Sequence, residues 1–536
     1  MLMRTSLRSL AGLGIMVVSG CGLVLGLDEF DDAAPAGGTT AAGTGGGPTC
    51  EPESEAKCYS GPSGTRDVGI CKAGTQVCNQ DGSGYEACSG EVTPEAETCA
   101  STEDEDCDGK DCVAWARLIG GAEEETATDV AVDSMGNVYV AGSFKGAISL
   151  GEDVLIASGE SDAFLVKFSS SGEYVWSRQL GGIHDESAYS LSVGPGGDPV
   201  VATIEIDFDP TLINLVLQQY NSDGELSWRR ALGGGLCGIV PTNVRSIAFA
   251  PDGDIVVAGD YCGDVQFDDA HVISNATDLS DVFVAKIRTS DGSIDEVDGW
   301  VSAFGGDGAQ YAIDVAADAA GNVIVVGDFY GGLHLDDVSF MSSGGSDVFL
   351  SKLTNRGLVS WVRAFGGAQN DSARSVAVDR LGGPVVMATF QGAFDLGGGE
   401  VVASRLAPTI FKYTTSNTYR WHRVFDVDGV GVGNLSVEPQ GDLLVVGRLT
   451  EEAELDGEML HPSSTGDLLL MKMSGEAKLL WARAFGEAGN YSISSIARRD
   501  SRDLLVVGRA TGNVNLGDGP LTPEGESDIF VAKFQP

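Results

Sequence analysis

The residues with the clearest chemical potential lie in a short acidic stretch between Cys99 and Cys112. Carboxylates alternate there in the pattern D-x-D-x-D-G, which ends at Gly109. Alternation in a tight loop turns carboxylates inward, and glycine permits the sharp bend, as in the first half of a calcium-binding loop. Trp115 stands where an EF-hand needs its bidentate Glu, so a later aspartate has to substitute. The candidate ligands are Asp104, Asp106, Asp108 and Asp111.

The metal expected at this loop is Ca²⁺. The surrounding cysteines should be oxidised, so only carboxylate oxygens remain as ligands, and these suit Ca²⁺ better than Zn²⁺. The alternative interpretation is a solvated acidic turn that is held by its cysteines and binds no metal. The sequence leaves both interpretations open.

A second set of polar residues recurs at matching places after Gly-Gly pairs. If these pairs mark the mouth of a channel, the set would form an acidic site for a cation or for a cationic or hydroxylated ligand. The alternative is that each side chain caps backbone N–H groups of a nearby loop. The set comprises Glu125, Glu186, Gln310 and Asp371.

Signals of catalysis are weak throughout the chain. The five histidines are scattered without metal-ligand spacing, and the sequence has no G-x-S-x-G, P-loop or H-E-x-x-H motif. The run Gly429–Gly433 (GVGVG) is not a dinucleotide fingerprint, because no strand–helix unit surrounds it. We therefore predict no catalytic residue.

The scaffold for these residues is a repeat marked by tryptophan. All seven tryptophans begin similar segments at intervals of about 60 residues, which indicates a repeat architecture. One unit contains four strand-like runs with alternating, β-branched residues: TDVAVD, NVYVAGSF, DAFLVKF and YVWSRQL. Seven such units predict an all-β fold, a seven-bladed β-propeller with four antiparallel strands per blade. The tryptophans are Trp115, Trp176, Trp228, Trp300, Trp361, Trp421 and Trp481.

The repeat also resembles a known family. The pattern G-G-x-x-x-D-x-A-x-x-V-A-V-D-x-x-G-N-V-x-V-x-G, followed by D-x-F-x-x-K and W-x-R, is similar to the bacterial β-propeller repeat called SBBP. The resemblance covers residues 113–536, although the second unit has Asn214–Gln218 in place of the D-x-F-x-x-K strand. It implies a propeller and little about chemistry.

The phase of the repeat predicts how the ring closes. The first strand, Val113–Ile119, has no partner upstream, and the last, Asp528–Phe534, lacks a tryptophan strand. The N-terminal strand should therefore complete the last blade and remove an open edge. Within a blade, we expect the arginine of W-x-R to pair with the aspartate that begins the third strand, as in Asp347 with Arg363.

The N-terminus has the features of a bacterial lipoprotein. Arg4 and Arg8 precede an apolar run that is too short to span a membrane. The run ends in V-S-G-C at Cys21, which resembles a lipoprotein cleavage box and implies acylation of that cysteine. An ordinary secretory signal is the alternative. No other stretch is long and apolar enough to span a bilayer, so the lipid would be the only membrane anchor.

The 11 cysteines agree with export. Besides Cys21, eight lie within residues 50–112 and two, Cys237 and Cys262, lie in the repeats. We expect four disulfides in the first group and one joining the last two cysteines. Eight cysteines allow 105 pairings, so the sequence does not choose among them. The stretch Gly61–Cys112 contains GTRDVGIC, GTQVC and a DEDCDG ending. It resembles a cysteine-rich module of bacterial surface proteins that is classed as metal-binding.

Four segments result: a signal peptide (1–20), an acylated cysteine with a flexible tether (21–49), a disulfide-rich module (50–112) and the propeller (113–536). The net charge of −45 argues against nucleic-acid binding. We predict a monomeric outer-membrane lipoprotein, periplasmic or surface-exposed, that acts as a non-enzymatic binding or scaffold module. Its partner would be an envelope or extracellular protein or a glycan, and Ca²⁺ is the only cofactor expected. The alternative is an extracellular propeller hydrolase or lyase that acts on polymers.

Overall fold

The computed structural model describes most of residues 50–536. It leaves out residues 63, 96, 98, 100, 102, 108–111, 184, 207–212, 233–235, 238–239, 242, 268–271, 275–278, 295–298, 464–465, 488, 500–502 and 526, and the side chains of 206, 213–214, 236–237, 240–241, 272 and 274. Within the part described, no helix is long and apolar enough to cross a membrane.

Seven four-stranded antiparallel sheets form the blades of a β-propeller, as the repeat predicted. We call the strands a to d, from the channel outward. Their bounds are, for blade 1, Glu125–Val132, Val138–Phe144, Asp162–Phe168 and Tyr174–Leu180; for blade 2, Ser187–Val193, Pro199–Ile206, Ile213–Tyr220 and Leu226–Leu232; for blade 3, Asn243–Phe249, Ile255–Tyr261, Asp281–Ile287 and Trp300–Phe304; for blade 4, Gln310–Ala317, Val323–Leu335, Val338–Leu353 and Val359–Phe365; for blade 5, Ser372–Val378, Pro384–Asp395, Glu400–Tyr413 and Tyr419–Val424; for blade 6, Val430–Val437, Leu443–Leu449, Asp467–Met473 and Leu479–Phe485; and for blade 7, Asn490–Arg498, Leu504–Thr511, Asp528–Phe534 and Val113–Gly121.

The long b–c connections carry hairpins of their own. In blades 4 and 5 the hairpin continues strands b and c directly. A recurring Leu or Phe at the hairpin turn, such as Leu396 or Leu516, is fully buried and anchors it to the blade. The separate short strands are Ala147–Ser149, Val154–Ile156, Leu236–Cys237, Val240–Pro241, Asp264–Gln266, Val272–Ser274, Ala453–Leu455, Glu458–Leu460, Val514–Asn515 and Pro520–Leu521.

The N-terminal strand closes the ring, as predicted. Strand d of blade 7, Val113–Gly121, pairs antiparallel with the C-terminal strand Asp528–Phe534, and Trp115 lies opposite Lys533. The first and last strands of the propeller therefore share one sheet, which leaves no unpaired c strand in blade 7.

Apolar side chains between neighbouring blades form the core. Seven clusters of buried residues lie at the seven blade interfaces. Strands b and c are covered on both faces, so all seven residues of Asp162–Phe168 are buried. This explains why these strands have continuous apolar runs, whereas strand d alternates.

The Gly-Gly pair at the end of strand d makes room for the aspartate of strand c. A Cβ on Gly366 would lie 2.3 Å from the Asp347 carboxyl carbon, and one on Gly305 would lie 1.8 Å from an Asp281 oxygen. The Asp347 carboxylate instead accepts a hydrogen bond from the Ser343 amide, 2.9 Å away. This aspartate therefore fastens the b–c connection to its blade.

The W-x-R segment holds neighbouring blades together. The Trp361 indole donates to the Thr415 carbonyl, 3.2 Å away, in the c–d turn of the next blade. Arg363 donates to the Asn417 carbonyl of the same turn, 3.1 Å away. The expected pair of Asp347 with Arg363 is therefore wrong, because the guanidinium donates to the backbone and side-chain oxygens of Asn417 in the next blade. The other indoles that make this contact belong to Trp115, Trp176, Trp228, Trp300 and Trp421.

A different ion pair recurs inside the blades. It joins the lysine near the end of strand c to an acidic residue at the a–b turn, as in Lys352 and Asp318, 2.7 Å apart and both buried. Burial opposes ionisation of Asp318, but hydrogen bonds from Lys352 and Asn322 outweigh it and lower its pKa. The corresponding pairs are Lys412–Asp379, Lys472–Glu438, Lys286–Asp252 and Lys533–Asp503.

Blade 7 lacks a c–d turn, and the described residues of the segment 99–112 take its place. We call this segment the closing loop, and the Cys99–Cys112 disulfide ties its ends. Arg483 donates to the Ser101 carbonyl of the loop, and Trp481 packs in one cluster with Cys99 and Cys112. The Gln535 amide, just after the last strand, donates to the Cys112 carbonyl, 2.9 Å away. The blade 6 W-x-R segment thus grips the closing loop as the others grip a turn.

Disulfides dominate the segment before the propeller. Residues 50–55 and 77–86 form one compact unit, held by the Cys50–Cys78 bond. Residues 56–76 and 87–536 form the other, and its N-terminal part contains Cys58–Cys88 and Cys71–Cys107. The four disulfides expected from the cysteine count are therefore present. The strands in this region are Glu55–Cys58 and Gly74–Val77.

Candidate functional site

A cavity of about 420 Å³ lies on the axis of the ring, lined by the a strands of all seven blades. Each a strand contains a bulge at the same place, where the register with strand b shifts by one residue. The bulge aims two successive side chains at the cavity. The second of the two forms what we call the polar belt: Asp129, Ser190, Ser246, Asp314, Ser375, Asn434 and Ser495.

The two aspartates of the belt bridge their neighbouring blades. Asp314 accepts hydrogen bonds from the hydroxyls of Ser246 and Ser375, at 2.8 and 3.2 Å, and from the Val315 and Val376 amides, at 2.9 and 2.8 Å. Each of its oxygens therefore has two donors, and three blades meet at one carboxylate.

Asp129 of blade 1 has the same arrangement. It accepts from Ser190 and Leu191 of blade 2, from Ser495 of blade 7 and from its own neighbour Val130. Burial raises the pKa of Asp129 to about 6 and also raises the pKa of Asp314. Both carboxylates are occupied in holding the ring, so neither is available as a free nucleophile or base.

The side chains that can contact a ligand in the cavity come mostly from the first of the two bulge positions in the a strands. Arg374 is exposed to the cavity, and Tyr189 is half-buried. Arg245 forms an ion pair with the buried Asp260, 2.5 Å away. No histidine occurs among the described residues that line the cavity.

The four polar residues after the Gly-Gly pairs do not form an open acidic mouth, because all four are buried. Asp371 accepts from the Gly367 amide at 2.7 Å and from the Gln391 amide at 3.0 Å. Glu186 accepts from the Gly182 amide at 3.0 Å. The capping interpretation therefore describes Asp371 and Glu186.

Gln310 and Glu125 occupy the same position in their blades, but only the Gln310 side chain forms a well-formed hydrogen bond. The Gln310 amide donates to the Gly332 carbonyl, 2.8 Å away. Glu125 is fully buried, and neither of its oxygens has a hydrogen-bond partner of good geometry. Burial raises its pKa to about 7, against a smaller opposing contribution from the Gly121 amide. Glu125 is therefore a buried carboxylate without a well-formed hydrogen bond, at a position where its three counterparts are hydrogen-bonded.

The acidic loop of the module gathers three carboxylates. Oxygens of Glu97, Asp104 and Asp106 lie within 4.8 Å of one another, a spacing that can hold a metal ion. Burial raises the pKa of Glu97 to about 7, assisted by its hydrogen bond to Glu105. Glu97 was not predicted from the sequence as a ligand, although it lies only two residues before Cys99. The other two predicted ligands, Asp108 and Asp111, lie outside the described residues.

The remaining predicted site residues are the lipidation candidate Cys21 and the expected disulfide pair of Cys237 and Cys262. Cys21 lies outside the described residues. Cys262 is in a disulfide, and its expected partner Cys237 lies in a short strand whose side chains are not described. That pairing therefore stays a prediction.

The fold and the polar channel define this chain as a seven-bladed β-propeller protein. Residues 114–143 match the family model described as SBBP, beta-propeller repeat, which confirms the resemblance predicted from the repeat. No curated protein sequence matches the chain.

Similar solved structures are propellers of several kinds. They include a protein of unknown function from Dyadobacter fermentans (12% identity, 79% of this chain and 98% of that one, TM-score 0.34). Others are the beta-propeller domain of the Trilobed protease from Pyrococcus furiosus (10%, 77% and 97%, 0.39) and the PQQ-bound aldose sugar dehydrogenase from Streptomyces coelicolor (12%, 78% and 98%, 0.33). Nothing about the chemistry of this chain follows from them.

Proposed function

We propose that this protein is a non-enzymatic binding and scaffold module of the bacterial cell envelope and that its axial channel is the binding site. The observation that carries the proposal is the state of the two channel carboxylates. Asp129 and Asp314 each accept four hydrogen bonds from the protein itself. The groups left open are hydroxyls, a phenol and a guanidinium, which suit recognition of a polar ligand better than acid–base catalysis.

A ligand screen with a blocked channel tests this proposal. The full chain is titrated with glycans, peptides and ions, and the same mixtures are assayed for cleavage products. Ser494→Trp fills the cavity and should abolish binding, whereas Leu480→Trp on the exposed outer strand should not change it. Product formation that Ser494→Trp eliminates would instead support the alternative, a propeller hydrolase or lyase.

The module supports a second proposal, a Ca²⁺ site. The cluster of Glu97, Asp104 and Asp106 supplies three oxygen ligands, the number from which a Ca²⁺ site completed by carbonyls and water can be built. Calorimetry of the full chain should show Ca²⁺ binding that Asp106→Ala abolishes and that Glu103→Ala, at an exposed neighbouring carboxylate, preserves. Absence of heat at millimolar Ca²⁺ would contradict the site.

Attachment to the outer membrane through Cys21 is also part of the proposal. Four disulfides are consistent with an oxidising compartment outside the cytoplasm. Cys21→Ser should prevent labelling with radioactive palmitate and release the protein from the membrane fraction. Continued membrane association of this variant would rule out a lipid as the anchor.

A further inference from the structure

The polar belt joins neighbouring blades everywhere except at one place. Its side-chain hydrogen bonds connect blade 7 to blade 1, blade 1 to blade 2, blade 3 to blade 4 and blade 4 to blade 5. Ser190 accepts from the Ile247 amide, which connects blades 2 and 3, and the Asn434 amide donates to the Ser494 carbonyl, which connects blades 6 and 7. Among these described belt residues, none connects blades 5 and 6.

Two backbone donors on either side of Asn434, one at this gap and one at the interface of blades 6 and 7, lack the partner that other blades provide. In five blades, the amide that follows the belt residue donates to a belt side chain, as Val376 donates to Asp314. No belt side chain accepts from the corresponding amides of Leu435 and Ile496 in blades 6 and 7. The register of Leu435 with Val445 is the same as that of Val130 with Val140, so its N–H faces the open edge of strand a. A buried backbone donor normally finds an acceptor.

The first bulge residues on either side of the gap also differ from their counterparts. Arg374 of blade 5 is exposed and has no hydrogen bond or ion pair among the described residues. Gly433 of blade 6 supplies space, since a Cβ there would meet nothing closer than 3.7 Å. Gly431, two residues earlier, is equally open, with 3.8 Å to its nearest neighbour. Glycines that packing does not require, inside a strand, often mark the close approach of a ligand.

The other blades show what chemistry belongs in the gap. At Asp129 and Asp314, a carboxylate flanked by serines accepts from two bulge amides and so ties three blades together. Asn434 is flanked by Ser375 and Ser495 in the same way, but its side chain is an amide that donates elsewhere. The gap therefore has the donors for a carboxylate and lacks the carboxylate.

We propose that the gap between blades 5 and 6 binds a small hydroxylated carboxylate, such as a sugar acid, which rests on the proposed function of the channel. The ligand carboxylate takes the place that Asp314 fills in its own gap, with Arg374 as a bidentate partner and the Leu435 amide as a further donor. Ligand hydroxyls meet the hydroxyls of the bulge and belt. Asp314 and Asp328 lie close by, so a ligand with several charges is disfavoured.

Calorimetry of the full chain with glucuronic and galacturonic acids tests the proposal. Glucose and galactose test the need for the carboxylate, acetate tests the need for the hydroxylated ring, and an acidic polysaccharide tests whether a chain end also binds. We expect the sugar acids to bind and all other probes to bind at least about tenfold more weakly, except polysaccharide ends. Arg374→Ala should weaken binding about tenfold or more. Arg420→Ala, at an exposed outer arginine, should have no effect.

Asn434→Asp is the most discriminating variant, because it supplies the missing carboxylate from the chain itself. It should abolish sugar-acid binding and raise the melting temperature, since the Leu435 and Ile496 amides gain an acceptor. Unchanged binding in Asn434→Asp or in Arg374→Ala would overturn the proposal. A neutral glycan or peptide could instead bind so that Ser494→Trp blocks its binding and Arg374→Ala leaves it unchanged. In that case the sugar-acid site is wrong, while the proposed function of the channel stands. If no probe of either screen binds, both fail.

Discussion

At the scale of single residues, position in the repeat does not by itself decide whether a buried side chain is hydrogen-bonded. Glu125, Glu186, Gln310 and Asp371 share one place, yet only Glu125 is buried without a well-formed hydrogen bond. Gln310 shows what the place accommodates, because its amide donates to the Gly332 carbonyl. The Ala147 carbonyl occupies the same place in blade 1, against Gly121. A neutral donor is therefore better suited to this site than a carboxylate.

Glu125→Gln should stabilise the protein above neutral pH. The pKa of Glu125 is raised from its ordinary value near 4.5 to about 7, so its ionisation in the folded state is unfavourable. The stability that depends on its proton is present below pH 4.5 and is lost as pH rises through 7. The variant should remove this loss and gain about 1 kcal/mol at pH 8 in urea denaturation. Gln310→Glu should show the opposite change, and equal pH profiles for all three proteins would contradict the assignment.

At the scale of elements, the closing loop explains how the Cys99–Cys112 disulfide takes part in the propeller. Six tryptophans, five of them in W-x-R segments, donate to a c–d turn of the next blade. Arg483 of the remaining W-x-R segment donates to Ser101 in a loop closed by Cys99–Cys112. The loop is therefore a structural part of blade 7 as well as the segment that carries Asp104 and Asp106. A ligand bound to this loop would therefore change the stability of the closed ring.

The double variant Cys99→Ala/Cys112→Ala should lower the free energy of propeller unfolding by about 2–3 kcal/mol. The double variant Cys58→Ala/Cys88→Ala is the control, since neither cysteine belongs to the cluster of Trp481. Loop length alone predicts the reverse order, because Cys58–Cys88 encloses 30 residues and Cys99–Cys112 only 13. Denaturation followed by tryptophan fluorescence distinguishes the two, and a larger loss in the control would contradict the role of the closing loop.

The architecture could be predicted from the sequence because one signal occurs in every blade. Each blade has its tryptophan and its D-x-F-x-x-K strand or a variant, and five of the seven have a Gly-Gly pair. The position of Trp115 in the repeat predicted how the ring closes. The partners of Arg363 could not be predicted, because they are the backbone and side-chain oxygens of Asn417, which only the packing of the next blade brings close. The polar belt was missed for another reason: its residues fall on the variable positions of the repeat, and the bulge breaks the alternation that would have placed them.

At the scale of the whole molecule, the ring depends on a strand far from the rest of its blade in sequence. Val113–Gly121 supplies strand d of blade 7 and contacts the closing loop, strand c and the blade 1 hairpin at Ser149. Loss of this strand exposes an apolar interface and an unpaired edge at once.

Deletion of residues 115–120 should therefore lower the melting temperature of the entire propeller, by more than about 5 °C. Calorimetric scanning should show one cooperative transition moving as a whole. Deletion of residues 34–39 in the tether serves as the control for shortening the chain. An unchanged transition after removal of the strand would contradict closure by the N-terminus.

Amide hydrogen exchange at the belt tests the central claim, that the channel binds its ligand where the belt is open. With saturating glucuronic acid, exchange at Leu435 should slow in the natural protein, while Val130 and Val315, whose amides already have acceptors, should change little. In Asn434→Asp, the Leu435 and Ile496 amides should both exchange slowly without ligand and show no further response. Protection confined to the outer hairpins or to the module, with no change at Leu435, would place the ligand elsewhere and contradict the account.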